Sequence, residues 1–253
     1  MLKDARPYRK GIPVFEYQPA GAEELADLRR EFNLDSIAGN GNELSRIKNL
    51  MTWLHDTVRH DGSNPTDTIR TASALIGYAA RTGRGINCRM LAISLHEIYL
   101  AMGITSRYVT CLPKMETDPD CHVINVVWSK TLDKWVWMDP SFDQWVTDEY
   151  GTLLSIEEVR QRAIAGLPLL VNPEGNWNHE NPSTKESYLD GYMFKNLYWL
   201  KCPAWTGYGV EARLEGRPSP MYVSLCPPGF HGFNNGANTF VTNDPDYFWQ
   251  KPE

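Results

Sequence analysis

Three side chains in this sequence have the types and order needed for covalent acyl chemistry: a thiol, an imidazole and a carboxylate. Cys88 stands in Gly85-Ile86-Asn87-Cys88-Arg89-Met90-Leu91-Ala92, where a glycine-containing turn gives way to an apolar helical pattern. A thiol in the first helical turn points at backbone N–H groups that have no intrahelical partner. The helix dipole there favours the thiolate, the nucleophilic form. His122 leads a strand-like run and Asp139 ends another. A low-pKa thiol with an imidazole and a carboxylate is the equipment of a cysteine acyl-transfer enzyme.

The chemistry depends on elements that bring the three together. The Cys88 helix is expected to run to about Met102, with Leu91, Leu95, Ile98 and Met102 on one face and Gly103 as its stop. The period then changes to two, so Thr105–Leu112, His122–Trp128 and Lys134–Asp139 read as strands. His122, Ile124, Val126 and Trp128 share one strand face. A loop over Lys130–Asp133 sets Trp128 opposite Trp135 and Asp139 opposite Ile124. Asp139 is then diagonal to His122 on the same face, within reach of an imidazole–carboxylate hydrogen bond. A slip of one residue would move it to the other face. Without that shared face, His122 reads as an ordinary structural histidine and Asp139 as a turn residue ahead of Pro140. Asp143, the alternative carboxylate, reads as a solvated loop residue. Cys111 and Cys121 read as small buried hydrophobes, and His96 as a helix-face residue.

Upstream, helices are expected over Ala22–Phe32, Glu43–His60 and Thr71–Ala80, with a polar link over Asn33–Asn42. Leu154–Ala165 is again helical. Ser183–Leu200 suggests another helix and Tyr208–Leu225 a hairpin. The glycines at 83 and 85 read as room for a substrate backbone.

Composition excludes several classes. Across 253 residues the net charge is −6 with no cluster of Lys and Arg, which argues against nucleic acid and anionic membrane as partners. No apolar run reaches the ~20 residues of a membrane span. The N-terminus lacks the apolar stretch of a secretory signal, so a cytoplasmic location is expected, or export if a leader has been removed. None of the five cysteines is spaced Cys-x-x-Cys, so reduced thiols are expected rather than a zinc site, with a Cys202–Cys226 bridge open to an exported protein. No metal and no cofactor is expected.

Over about residues 43–142 the chain resembles the transglutaminase-like superfamily of papain-like cysteine enzymes. Gly85-Ile86-Asn87-Cys88 with Leu91-Ala92 is similar to its nucleophile helix. Ser106-Arg107-Tyr108-Val109 is similar to the strand that follows. His122-Val123-Ile124-Asn125-Val126 matches the His strand, and Trp135-Val136-Trp137-Met138-Asp139-Pro140 the Asp strand. The resemblance implies Cys88 as nucleophile, His122 as base and Asp139 as its orienter. Animal-type transglutaminases carry a tryptophan shortly before the nucleophile helix that helps hold the oxyanion. None lies between Asp61 and Cys88 here, so only the Cys88 backbone N–H is assigned to that task. The zinc-binding cysteine pairs of peptide N-glycanase relatives are absent as well.

The expectation is an α+β, papain-like fold with the nucleophile helix packed on an antiparallel sheet. Residues 1–42 would form an arm and short helix, 43–166 the catalytic core, and 167–253 an aromatic-rich extension packed on it. The expected function is cysteine-dependent hydrolysis of a peptide or isopeptide amide in a peptide or protein substrate. Amine transfer of the transglutaminase type is the alternative reaction, and a non-catalytic binding module on the same fold the alternative class.

Overall fold

Alternation along the strands builds the centre of the molecule. In the computed structural model, which describes residues 12–64, 66–212 and 219–253, six strands form one sheet. They are β1 (Ser106–Leu112), β2 (His122–Ser129), β3 (Lys134–Met138), β4 (Trp199–Pro203), β5 (Tyr222–Leu225) and β6 (Thr239–Thr242). Their spatial order is β6-β5-β4-β1-β2-β3. All pairs are antiparallel except β5 with β6, so the sheet is mixed at one edge rather than wholly antiparallel. Tyr108, Val123, Val127, Val136 and Met138 face a helical layer. Val109, Ile124, Val126, Trp135, Trp137 and Leu200 face a second core on the other side. Residues two apart share a face, so one sequence feeds two cores.

The helical layer comprises α1 (Glu23–Glu31), α2 (Leu34–Ala38), α3 (Glu43–Thr57), α4 (Ala72–Thr82) and α5 (Cys88–Ala101). The link expected over 33–42 thus contains one short helix. The helix α5 packs on β1 and β2 and against α1, α3 and α4. Every residue from Met90 to Ala101 is buried, so this helix has no solvent face, contrary to the one-sided pattern expected from its leucines. Its polar residues are accommodated locally. His96 Nδ1 lies 2.7 Å from Ser106 Oγ, and burial pushes its imidazole down to about 3, keeping it neutral. Glu97 accepts from the backbone N–H of Ala72 at the start of α4 and from that of Gly209.

The last third of the chain is woven into the sheet. Strand β4 pairs with β1 and β5, so it lies inside the sheet, not beside it. The hairpin expected over 208–225 is not formed as such: β5 takes β4 and β6 as neighbours, while residues 213–218 lie outside the described set. The helix expected over 183–200 is a π-helical stretch, Lys185–Met193, followed by one α-turn and then β4. Arg107, fully buried in β1, ties both chain ends to the sheet. It donates to the Tyr17 hydroxyl at 2.7 Å and to the Phe248 carbonyl at 2.6 Å, and its guanidinium stacks over Phe15 and Trp135. Among the described residues, no helix is long and apolar enough to cross a membrane.

Candidate active site

Asn87 starts the site. Its backbone is extended and its side-chain oxygen accepts from the Met90 N–H at 3.0 Å, which makes it the N-cap and Cys88 the first residue of α5. No acidic side chain sits in the first turn to compete with a thiolate for the positive end of the helix dipole. The Cys88 thiol is half-buried. Burial by itself would raise its pKa. Hydrogen bonding with His122 and His60, together with the electrostatic pull of both rings, outweighs burial and lowers it to about 6. The other four cysteines, all free, shift the opposite way because burial dominates.

His122 is buried at the start of β2. The register carries Trp128 opposite Trp135 and Asn125 opposite Met138, as the aromatic pairing requires. That register brings Asp139 to His122: Nε2 lies 2.7 Å from Asp139 Oδ2. The other ring nitrogen, Nδ1, is buried without a nitrogen or oxygen partner, and the ring interacts with the Cys88 side chain. Burial would lower the imidazole pKa, but the Asp139 charge and hydrogen bond, aided by Cys88, raise it to about 10. Thiol down and imidazole up describe a thiolate–imidazolium pair at neutral pH.

Asp139 is itself tied down. Its Oδ1 accepts from the Ser141 N–H at 2.9 Å, and Oδ2 also accepts from the Tyr188 hydroxyl at 2.7 Å. Tyr188 in turn accepts from Trp137 Nε1 at 3.0 Å. Trp137, which flanks Asp139, is fully buried under this network. The rings of Tyr192 and Phe142 meet His122 edge-on at 5.3 and 5.8 Å. Asp143 is not a solvated loop residue. It is buried, lies at φ 47°, and accepts from Thr52 Oγ1 at 2.9 Å, away from the imidazole.

The sequence pattern gave no sign of His60. It follows α3, and its backbone forms a parallel bridge with Ile86, two residues before Cys88: Ile86 N–H donates to Arg59 O at 3.0 Å and Asp61 N–H to Ile86 O at 2.8 Å. Gly85 permits this approach. A Cβ there would stand 2.7 Å from Arg59 O, so this glycine makes room for the His60 strand and not for substrate. Asn178 clamps the His60 backbone from both sides, accepting its N–H at 2.8 Å and donating to its carbonyl at 3.0 Å. Trp177 Nε1 donates to His60 Nδ1 at 3.0 Å. Gly83, by contrast, has φ 66° and closes α4.

Among the described residues, one group has the ligand types of a metal site: His55, Asp56 and His179. Both His55 nitrogens are already engaged, by the Pro140 carbonyl and the Asn176 side-chain oxygen at 3.0 Å each. A large cavity of about 970 Å³ opens beside the site, lined by Arg89, which follows the thiol, and Cys121, which precedes the imidazole. Cys121 is thus half-exposed to a cavity rather than a core hydrophobe.

Comparison with known proteins places part of the chain beside one family. Residues 30–140 match the family model of the transglutaminase-like superfamily, a span that includes Cys88, His122 and Asp139. A search of curated proteins finds no significant match. Among solved structures, a Cytophaga hutchinsonii protein provisionally assigned as a cysteine protease is 20% identical, with a TM-score of 0.35 over 46% of this chain and 37% of its own. This chain therefore spans well under two thirds of that protein. Legionella pneumophila LapG, in an EGTA-treated structure, is 13% identical, with a TM-score of 0.36 over 72% of this chain and 98% of its own. These likenesses are too loose to bear on the site. The family match and the helix-on-sheet core stand together: over residues 30–140, the chain is similar to the transglutaminase-like superfamily.

Proposed function

We propose that this protein is a cysteine-dependent amide hydrolase in which Cys88 is the nucleophile, His122 the general acid–base and Asp139 its orienter. The observation that carries the reading is the opposed pair of shifts, a thiol lowered to about 6 against an imidazole raised to about 10 and bonded to a buried carboxylate. The thiolate attacks the amide carbonyl; the S–C bond forms as the C=O π pair moves to oxygen. Collapse of that tetrahedral species breaks the C–N bond, and the His122 proton goes to the leaving amine. Neutral His122 then takes a proton from water as water attacks the thioester; the C–S bond breaks, which frees the acid and restores the thiolate–imidazolium pair.

The substrate is proposed to be a peptide or protein amide whose flank lies in the cavity beside Arg89 and Cys121. Among the described lining residues, Arg70, Arg89 and Lys201 face one carboxylate, Glu211. Glu211 is saturated: it accepts from both arginines and from the Tyr108 and Tyr222 hydroxyls. The cationic excess favours a substrate carrying a carboxylate near the scissile amide. Residues 167–253 are proposed to be part of the catalytic unit, because they supply Trp177, Asn178, Tyr188 and Tyr192.

The test is acylation of the whole protein by p-nitrophenyl acetate, followed by intact mass. A burst of p-nitrophenol with an acetyl adduct, absent in Cys88→Ala, supports the nucleophile. No burst in the wild type supports the non-catalytic module. Adding dansylcadaverine to the acyl-enzyme separates the reactions: loss to water is hydrolysis, and capture of the amine is the transglutaminase alternative.

A further inference from the structure

We propose that His60 is a further catalytic residue, a neutral hydrogen-bond donor whose Nε2–H, together with the backbone N–H of Cys88, holds the oxyanion formed when the thiolate attacks a carbonyl. The proposal rests on the reading of Cys88 as nucleophile.

The protonation of His60 follows from its partner. An indole N–H only donates, so Nδ1, which faces Trp177 Nε1 at 3.0 Å, carries a lone pair and no proton. A neutral imidazole with its lone pair at Nδ1 has its proton on Nε2. The same contact excludes the imidazolium, which would set N–H against N–H. The donor nitrogen, Nε2, is buried without a nitrogen or oxygen partner. Its ring interacts with the Cys88 side chain. A buried N–H left without an acceptor is costly and rare. Here its neighbour is the sulfur from which negative charge departs during attack.

Rigidity is the second part of the case. An oxyanion donor acts by being in place before charge develops. The backbone of His60 is fixed by the bridge to Ile86 and by both arms of Asn178, and its ring by Trp177. His122 cannot serve this role, because its ring is committed to Asp139 and to proton transfer. Two imidazoles therefore flank one thiol with divided tasks. The doubly engaged His122 moves a proton. His60 keeps its own, donating a hydrogen bond first towards sulfur and then towards oxygen, with no bond to hydrogen broken. Trp177 is the positioning residue that fixes the tautomer.

Two generic probes separate this role from general support of the thiol. Alkylation by iodoacetamide displaces iodide and forms no oxyanion; acylation by p-nitrophenyl acetate does form one. In His60→Ala the plateau acylation rate is expected to fall roughly 100-fold, while plateau alkylation of Cys88 stays within about threefold. His60→Gln, which restores an N–H donor, is expected to recover most of the loss. Wild-type acylation by His60→Ala, or an equal fall in both rates, overturns the proposal while leaving the nucleophile intact. Failure of the wild type to acylate overturns both. If His60→Ala does not fold, ¹⁵N imidazole spectra of the wild type decide: an unprotonated Nδ1 and protonated Nε2 at neutral pH support the proposal, and the reverse tautomer or an imidazolium ends it.

Discussion

Tyr188 donates a hydrogen bond from its hydroxyl to the same Asp139 oxygen that lies 2.7 Å from His122 Nε2, so one carboxylate oxygen serves two residues 66 positions apart in the chain. Burial drives the phenol pKa well up, so Tyr188 remains a donor across the working pH range. Tyr188→Phe removes this bond and also leaves Trp137 Nε1–H without its acceptor. Loss of a buried hydrogen bond to a charged group costs about 1.5–3 kcal/mol. Urea denaturation is expected to show a loss of that size, and acylation by p-nitrophenyl acetate to slow about tenfold as the imidazole loses a fixed carboxylate. An unchanged urea midpoint would show that the network has no energetic weight.

The thiol and imidazole shifts fix the pH behaviour of alkylation. Cys88 is an acid whose pKa is lowered, so its thiolate is present above about 6 and lost below it. His122 is a base whose pKa is raised, so its positive charge persists until about 10. Iodoacetamide labelling of Cys88 is expected to rise through pH 6 and reach a plateau near neutrality, ahead of the other four thiols. In His122→Ala the thiol loses its imidazolium partner and moves up towards the ordinary ~8.5, which lowers the rate at pH 7 by about 30-fold. Peptide mapping at a limiting dose reads both effects, and equal labelling of Cys88 and Cys202 in the wild type counts against the ion pair.

The helix, the strands and the Cys88–His122–Asp139 order were legible because period and pairing are local. Apolar spacing marks α5, alternation marks β2 and β3, and the Trp128–Trp135 pair sets their register. What stayed hidden depends on distant partners. His60 follows a helix in a stretch without period, and its meaning comes from Trp177 and Asn178, 117 and 118 residues away. Gly85 was the available signal, but a glycine beside a nucleophile reads equally as space for a ligand or for another backbone. Tyr188 sits on a π-helical stretch whose period matches neither template. Asp143 looked solvated because its partner, Thr52, lies 91 positions away.

The place of β4 in the sheet predicts the effect of truncation. A chain ending at Gly166 loses β4, β5 and β6, which uncovers the edge of β1 together with the apolar face of Val109 and Cys111. It also loses Trp177, Tyr188 and Tyr192. Such a chain is expected to aggregate on expression. A soluble, monomeric 1–166 chain with an unchanged thermal melt would show instead that residues 167–253 are an appendage.

Lys201 provides the test of substrate charge. It lies on β4 opposite Thr110, with its ammonium 5.1 Å from the Tyr222 ring and 3.3 Å from Asn235 Oδ1. Burial lowers its pKa, and nearby Arg89 adds repulsion, so a carboxylate arriving in the cavity relieves both. A panel of fluorogenic peptide amides with Glu, Gln or Lys at each position beside the scissile bond is expected to favour Glu at one position by roughly tenfold, equivalent to about 1.4 kcal/mol. Lys201→Glu is expected to abolish or invert that preference, and Lys201→Arg to keep it. The ratio of Glu to Gln within each variant cancels any general loss of activity. Equal rates for the three peptides in the wild type would leave the cavity with no role in reading charge.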